Sequence, residues 1–540
     1  MRAARYKYLP ILKRKIWDYY DWLDPPQPLI LAPVEPALSV SVTLWEWLTH
    51  IRWAIFWTLH LSAFSLVTIH CLKHRREATS ALLWIFVAWS FPIVGPLLFL
   101  GFGVNRVPSK GWRKQRSDQE LLTERIVRED AAMPLAYWRA VHRARAAEPA
   151  DTFARELNCS MNAILPDYPL LEGNKIEPLV TGEEAFPRML AAVEAATHHI
   201  HVQTFIISND RIGRMFLDAL AQKARSGVTV RFLFDRFGST RAWVSGLIDN
   251  YLKLPNFKVV GWTQANPIKR QFQLNLRNHR KLLIVDGNLA FIGGINLAEN
   301  NVWRDALPPD RDYHFAVTGP IVQELQYTFF RDWYFMTDES PDVLLTEAHF
   351  PQVSPTGTSL IRVVNGGPTA AEVEVMTDVF FAAITAARRQ LLAVTPYLVP
   401  TPDLLRAFRS AALRGVDVRL LVPLKNNHPY AGMAGRAYYD DLLSASVRIF
   451  ERPPPFLHAK ALIVDDTLTI VGTANLDVRS LRLNYETNLA VFDPAFANRM
   501  KQIVLEEMAA ARELDLVIWR ARPTIKKLAE NFCSLLTPVL

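Results

Sequence analysis

The sequence predicts an α/β protein of two similar lobes, preceded by an apolar helical hairpin. Three observations carry this prediction. A block near the middle of the chain recurs near its end, strand and helix patterns alternate around both copies, and two long uncharged runs lie close to the N-terminus. The organisation read from them is a tail and Pro-rich linker over 1–50 and two membrane-spanning or re-entrant helices over 51–105. A basic connector over 106–165, a first lobe over 166–340, a second over 341–515 and a C-terminal amphipathic segment over 516–540 follow.

The repeated block is "HRKLLIVDGNLAFIGGINL" from His279 and "HAKALIVDDTLTIVGTANL" from His458. The two align without a gap, and 10 of 19 positions are identical. Upstream, "KARSGVTVRFLFD" (Lys223 to Asp235) matches "AALRGVDVRLLVP" (Ala411 to Pro423), each reading as a helix end, a Gly stop and a β-branched strand. Amphipathic segments precede both. Alternating strands and helices favour α/β/α sandwiches with a largely parallel sheet. A duplicated unit of this size makes two pseudo-symmetric lobes rather than a solenoid, whose repeats are far shorter.

The block carries chemistry as well as symmetry. His279 and Lys281, like His458 and Lys460, are two residues apart, so they share one face of a strand. Basic groups on a core strand are costly unless an anion meets them. A pseudo-two-fold axis brings the two histidines to one site between the lobes. Flanking a phosphorus, one imidazole can attack while the other acts as acid, and sequence symmetry allows either order. Lys281 and Lys460 supply positive charge to the non-bridging oxygens, and Asn296 and Asn475, seventeen residues after each His, can donate to them. Asp286 and Asp465 lie seven residues after the His, an odd spacing that turns them away from the site. They read as structural carboxylates anchoring the turn after each strand.

The pattern H-x-K-x4-D, twice, each followed by G-[GT]-x-N, closely resembles the phospholipase D superfamily over residues 170–515. "NLDVRSLRLNYETN" (Asn475 to Asn488), "TPYLVP" (Thr395 to Pro400) and "RAYYDDLLSASVRIFE" (Arg436 to Glu451) are similar to its cardiolipin synthase branch. That resemblance implies phospholipase D-type lobes whose catalytic motif residues are His279, Lys281, Asp286, His458, Lys460 and Asp465. It also implies an acidic residue downstream of each motif that orients a histidine. Glu486 fits that role for His458, and Asp312 in "DRDYHF" is the counterpart in the first lobe. Thr473 of "GTAN" joins Asn296 and Asn475 as a substrate-binding or orienting residue. The implied reaction turns two phosphatidylglycerol molecules into cardiolipin and glycerol through a phosphatidyl-histidine, with no metal and no cofactor. Hydrolysis to phosphatidate, transfer to another acceptor lipid, a nuclease of the same superfamily and an idle membrane scaffold are the rival readings.

Composition bears on the rivals. A formal charge of +8 suits an anionic partner, whether phospholipid, membrane surface or nucleic acid. The three cysteines are too few and too scattered for a disulfide framework or a zinc site. Trp53–Leu72 and Thr79–Val104 contain no Asp, Glu, Lys or Arg and approach or exceed the ~20 residues that span a bilayer. Pro92, Gly95 and Pro96 kink the second or make it re-enter. Nine of the 15 tryptophans fall before residue 120, a density suited to interfacial anchoring. These features favour a lipid partner over nucleic acid. Arg106, Lys110, Arg113, Lys114 and Arg116 after the second run, with Arg52 before the first, outnumber Lys73, Arg75 and Arg76 between the runs, which places both ends and the lobes on the cytoplasmic side of an inner membrane in a multi-pass arrangement. At the C-terminus Ile525, Leu528, Phe532 and Leu535 follow helical spacing beside Lys526 and Lys527, which fits an interfacial helix or one packed on the second lobe.

Overall fold

A computed structural model describes residues 44–73, 78–103, 107–130, 148–262 and 276–535. The linker at 24–36, Trp17, Trp22, Arg75 and Arg76 lie outside the described residues. The chain forms two compact units, residues 1–104 and 105–540.

The first unit contains α1 (Leu44–Lys73) and α2 (Ala78–Ser90). Within α1, Trp47–Lys73 is the one helix among the described residues long and apolar enough to cross a membrane. The second uncharged run does not form one continuous helix. At 13 residues α2 reaches only ~20 Å, short of a ~30 Å hydrocarbon core. It breaks at Phe91–Ile93, where Pro92 cannot donate and Ile93 takes φ +65°; a short helix, Val94–Leu98, follows. Val67 and Cys71 of α1 pack with Ala88 and Phe99. Gly95 lies so close to Val87 that a Cβ would come within 2.2 Å of its carbonyl oxygen.

The second unit opens with α3 (Val107–Asp130) and α4 (Thr152–Ile164) where the sequence predicts a connector. The first lobe follows as β1 (Leu171–Val180), α5 (Thr181–Ala195), β2 (His199–Thr204), α6 (Arg211–Arg225), β3 (Thr229–Asp235) and β4 (Phe257–Trp262). It continues through β5 (Leu282–Val285), β6 (Leu289–Gly293), β7 (Tyr313–Thr318) and α7 (Ile321–Thr337). The second lobe repeats the sequence of elements: β8 (Ser359–Gly366), α8 (Val375–Ala386), β9 (Gln390–Val394), α9 (Pro402–Leu413) and β10 (Asp417–Pro423). Then come α10 (Pro429–Arg436), β11 (Arg448–Arg452), β12 (Ala461–Val464), β13 (Leu468–Gly472), β14 (Glu486–Phe492), α11 (Pro494–Ala509), β15 (Arg512–Glu513) and α12 (Thr524–Ser534).

Among the described residues all strands join one 15-stranded sheet, in the order β4-β3-β2-β5-β6-β7-β1-β8-β14-β13-β12-β9-β10-β11-β15. Outward from the central β1–β8 pair seven strands of each half match in order, with β15 added at the edge of the second, which is the pseudo-two-fold symmetry read from the repeat. The sheet is mixed rather than largely parallel. Only β2–β3–β4 and β9–β10–β11 run parallel, whereas β5–β6–β7 and β12–β13–β14 are antiparallel meanders. The reason is local: the tight turns at Asp286–Gly287 and Asp465–Asp466 reverse the chain at once, leaving no room for a crossover helix.

Helix signals resolve as predicted around the parallel strands. Asp210 caps α6 through Gly213 N–H at 2.9 Å, Ile212, Phe216, Leu220 and Ala224 bury one face, and Gly227 ends it at φ +99°. Gly415 does the same after α9 at φ +91°. Helices α7 and α11 cover the face opposite α5, α6, α8 and α9, and each touches strands of both lobes: α7 packs on β5, β7 and β8, α11 on β1 and β12–β14. One apolar core therefore runs across the joint.

Helix α3 belongs to this fold. Lys114 is buried against Asp118 and 3.4 Å from Asp332, and Arg125 pairs with Glu324 of α7 at 2.8 Å. At the other end, α12 packs on α10 by its polar side, with Glu530 buried and 2.7 Å from Arg522. Ile525, Leu528, Phe532 and Leu535 remain exposed. Packing on the second lobe and an outward apolar face thus coexist.

Candidate active site

Each His–Lys pair lies in an extended segment just ahead of its strand rather than inside it, because β5 starts at Leu282 and β12 at Ala461. The alternation of faces still holds. Asn278 and Arg280 turn inward and bond the buried Asp332 at 2.7 and 2.5 Å, while His279 and Lys281 take the other side. Each segment is fixed by two backbone hydrogen bonds to the opposite lobe. His279 N–H donates to the Tyr485 carbonyl (2.9 Å) and Tyr485 N–H to that of Arg277 (2.8 Å). His458 N–H donates to the Arg311 carbonyl (2.7 Å) and Arg311 N–H to that of Phe456 (2.8 Å).

These bridges bring each histidine beside the carboxylate that follows in the other lobe. His279 Nδ1 is 3.0 Å from Glu486 Oε2, and His458 Nδ1 is 2.6 Å from Asp312 Oδ2. The sequence expectation, Glu486 with His458 and Asp312 within the first lobe, is corrected: the partners are exchanged. The cause is the pairing just described, since Glu486 directly follows Tyr485 and Asp312 directly follows Arg311. Thr473 Oγ1 donates to Glu486 Oε2 at 2.5 Å, so Thr473 orients that carboxylate. In the first lobe Gly294 takes the equivalent place. A Cβ there would lie 2.1 Å from Asp312 Oδ1, so only glycine admits the carboxylate so closely.

Burial sets the electrostatics. It lowers the His279 pKa against the opposing pull of Glu486, and it lowers that of His458 to about 4, with Lys460 adding to the effect and Asp312 opposing it. Both rings are neutral near pH 7, and an Nδ1–H donated to the carboxylate leaves the Nε2 lone pair free. Burial also brings Lys281 down to about 7 and Lys460 to about 8, despite nearby carboxylates. Lys281 Nζ donates to the His279 carbonyl at 2.6 Å, and Lys460 Nζ to that of His458. Burial disfavours ionisation of Glu486 and Asp312, yet their His and Lys neighbours outweigh it and hold both below the usual carboxylate range.

Asp286 and Asp465 do what their odd spacing predicts. Each sits in the turn after its strand, at φ +51° and +50°. Asp286 accepts from the N–H groups of Thr197, His198 and His199 at 2.7–2.8 Å, and Asp465 from those of Arg388, Arg389 and Gln390 at 2.6–2.8 Å. They tie the turn to the start of the neighbouring strand, away from the histidines.

Phe205, His279, Asn296, Tyr397, His458 and Asn475 line one cavity of about 440 Å³. The Asn296 carbonyl oxygen accepts from Ile206 N–H (3.1 Å), leaving its amide nitrogen as the group available to the cavity. Asn475 differs, donating to Ser480 Oγ at 3.1 Å. Sequence reasoning passed over three wall residues. Phe205 stands edge-on to His279 at 4.9 Å between ring centres, Tyr397 lies across from His458, and Asp477 is buried, its pKa raised to about 6. Tyr397 belongs to the quoted "TPYLVP", and Asp477, inside the quoted "NLDVRSLRLNYETN", caps the short helix that follows it. A larger cavity, about 690 Å³, contains neither histidine. Among the described residues, one group close enough to hold a metal ion is His198, His199 and His349; none of the three lines the catalytic cavity.

Two H-x-K-x4-D lobes closing on one cavity, each lending the other a carboxylate, define a phospholipase D-like enzyme. A family profile described as "Cardiolipin synthase, PLD-like domain" matches residues 189–333 and 380–508, and one described as "Phospholipase_D-nuclease N-terminal" matches 63–103. The cardiolipin synthase of Geobacillus kaustophilus is 33% identical over 486 residues, 89% of this chain and 92% of that protein. Cardiolipin synthase A of Pseudomonas entomophila is 31% identical over 479 residues, 88% and 96% of the two. The chain belongs to the cardiolipin synthase family. Its fold is also similar to the crystal structure of phosphatidylserine synthase from Haemophilus influenzae Rd KW20, with TM-score 0.55 at 14% identity, covering 71% of this chain and 100% of that one.

Proposed function

We propose that the chain is a membrane-bound phosphatidyltransferase that joins two phosphatidylglycerol molecules into cardiolipin and releases glycerol. The observation that carries this is the pair of imidazoles on one cavity, each fixed by the other lobe's carboxylate, with a buried lysine two residues after each histidine. His279 Nε2 attacks the donor phosphorus while the bond to the glycerol oxygen breaks, and His458 delivers a proton to that oxygen. The primary hydroxyl of the second phosphatidylglycerol then gives its proton to His458 and displaces His279 from phosphorus. Lys281, Lys460 and Asn296 stabilise the non-bridging oxygens, where charge builds in both transition states. The approaching phosphate counteracts burial and raises the proton affinity of the histidines, so the acid is charged when substrate is bound.

Membrane attachment rests on α1, the one helix of spanning length among the described residues, and the lobes face the cytoplasm. Exposed Arg113 and Arg116 still favour that orientation, although Lys114 is buried in an ion pair and no longer counts toward it. The outward apolar face of α12 beside Lys526 suits contact with a bilayer surface. The test is purified full-length protein with labelled phosphatidylglycerol, in excess chelator, followed by product identification. Cardiolipin plus glycerol is expected. Phosphatidate alone would make the chain a hydrolase, and loss of activity restored by one divalent ion would overturn the metal-free scheme.

A further inference from the structure

Arg277 lies two residues before His279, on the same side of the extended segment, and lines the catalytic cavity. It is only 6% exposed, yet its Nε and Nη1 have no hydrogen-bond partner in the protein. The guanidinium lies 3.7 Å from the ring centre of Phe237. Asp235 is the carboxylate that acts on it, but the Asp235 oxygens already accept from the N–H groups of Phe237, Gly238 and Asn278 at 2.9–3.0 Å. Arg479 lines the same cavity and is near enough to oppose the charge of Arg277. A buried guanidinium that faces a second one and leaves donors idle is unfavourable unless an anion completes it.

The pseudo-two-fold axis sharpens the point. The residue equivalent to Arg277 in the second lobe is Phe456, and the equivalent of Arg479 in the first is Asn300. Both arginines therefore serve one side of the cavity, with no counterpart on the other. In the mechanism proposed above the reacting phosphate is met by Lys281, Lys460 and Asn296, beside the two histidines. Asp477, the acidic group on the same wall, spends one oxygen on Ser480 N–H at 2.7 Å.

We infer that Arg277, assisted by Arg479, binds the phosphate that does not react: the phosphodiester of the acceptor lipid. This rests on the transferase reading above and assigns the acceptor its own anion subsite. A planar guanidinium suits two phosphodiester oxygens at once. Holding that phosphate places the acceptor's primary hydroxyl, three carbons away, beside the phosphatidyl-histidine and favours it over water.

The experiment compares two soluble acceptors that differ by a phosphate, glycerol 3-phosphate and glycerol, each carrying a different isotope, with unlabelled phosphatidylglycerol as donor. Both products are measured in one reaction, so their ratio is independent of the amount of folded enzyme. Wild type should prefer the phosphate-bearing acceptor. Arg277→Gln should reduce that preference roughly 10- to 100-fold, the loss of a charge-assisted bond, and Arg277→Lys should restore part of it. If Arg277→Gln does not fold, Arg479→Gln carries the test and should lower the same ratio. No preference in wild type, or variants that lose both transfers in equal proportion, would overturn the subsite. Wild type that keeps the preference but makes no cardiolipin would count against phosphatidylglycerol as the acceptor lipid, and not against the anion subsite.

Discussion

Glu486 of the second lobe lies 3.0 Å from the ring of His279 in the first, and Asp312 stands 2.6 Å from His458 in return. Neither lobe holds a complete histidine–carboxylate pair. The carboxylate charge favours the imidazolium, and burial disfavours it. Glu486→Gln keeps the shape and removes the charge, so the His279 pKa falls further. Turnover should drop by up to about 100- to 10,000-fold, and the acid limb of kcat/KM should move to lower pH. A wild-type profile measured for Glu486→Gln would remove this residue from the site.

Both histidines act in each turnover. His279→Ala and His458→Ala should therefore each abolish cardiolipin formation while leaving the folded protein at wild-type yield. Near-normal transfer by either variant would sink the shared-site scheme.

The lysines set the basic limb. Burial holds Lys281 near 7 and Lys460 near 8 in the free enzyme, so the positive charge behind the histidines is lost as pH rises through that window. The basic limb of kcat/KM, which reports the free enzyme, should fall there. A bound phosphate favours the ammonium forms, so the limb of kcat should lie at higher pH. Coincident limbs in the two profiles would contradict this assignment.

Asp465 separates stability from chemistry. Asn tolerates the left-handed backbone at this position but accepts fewer hydrogen bonds than a carboxylate. Asp465→Asn should cost about 1–3 kcal/mol of stability, read as a lower Tm, with turnover per folded molecule nearly unchanged. A large loss of turnover at unchanged Tm would return Asp465 to the reacting centre.

The point of truncation matters because Lys114 and Asp118 of α3 are built into the second unit. Removing residues 1–104 should leave a folded fragment that salt or alkali releases from membranes. Removing 1–116 also takes Lys114 away from Asp332, and a broken buried pair costs about 3–5 kcal/mol. Equal thermal stability of the two fragments would show that α3 is dispensable.

The repeat made much of this legible. Its spacing located both histidines, both lysines and the turn-anchoring role of Asp286 and Asp465, because period-two alternation is a local property of the chain. The exchange of Glu486 and Asp312 was not legible. It depends on which segments form backbone bridges, 206 residues apart for His279 and Tyr485 and 147 for Arg311 and His458. Nearness in sequence pointed to the wrong partner. Helix α3 hid for a different reason: its charges read as solvated, yet Lys114, Asp118 and Arg125 are buried in ion pairs with α7. The break after α2 was signalled by Pro92, but the length left to each piece was not.

The exchanged carboxylates also bear on ancestry. In a single lobe the histidine and its downstream carboxylate would belong to one chain and still not meet each other. An ancestor of one lobe would have needed a second copy to assemble a working centre. Duplication and fusion of such a lobe would make its two-fold dimer permanent, and the 10 identities in 19 positions are the symmetry this chain retains. Once the halves were joined, each position was freed from its twin, and Arg277 opposite Phe456 records where the two sides of the cavity parted.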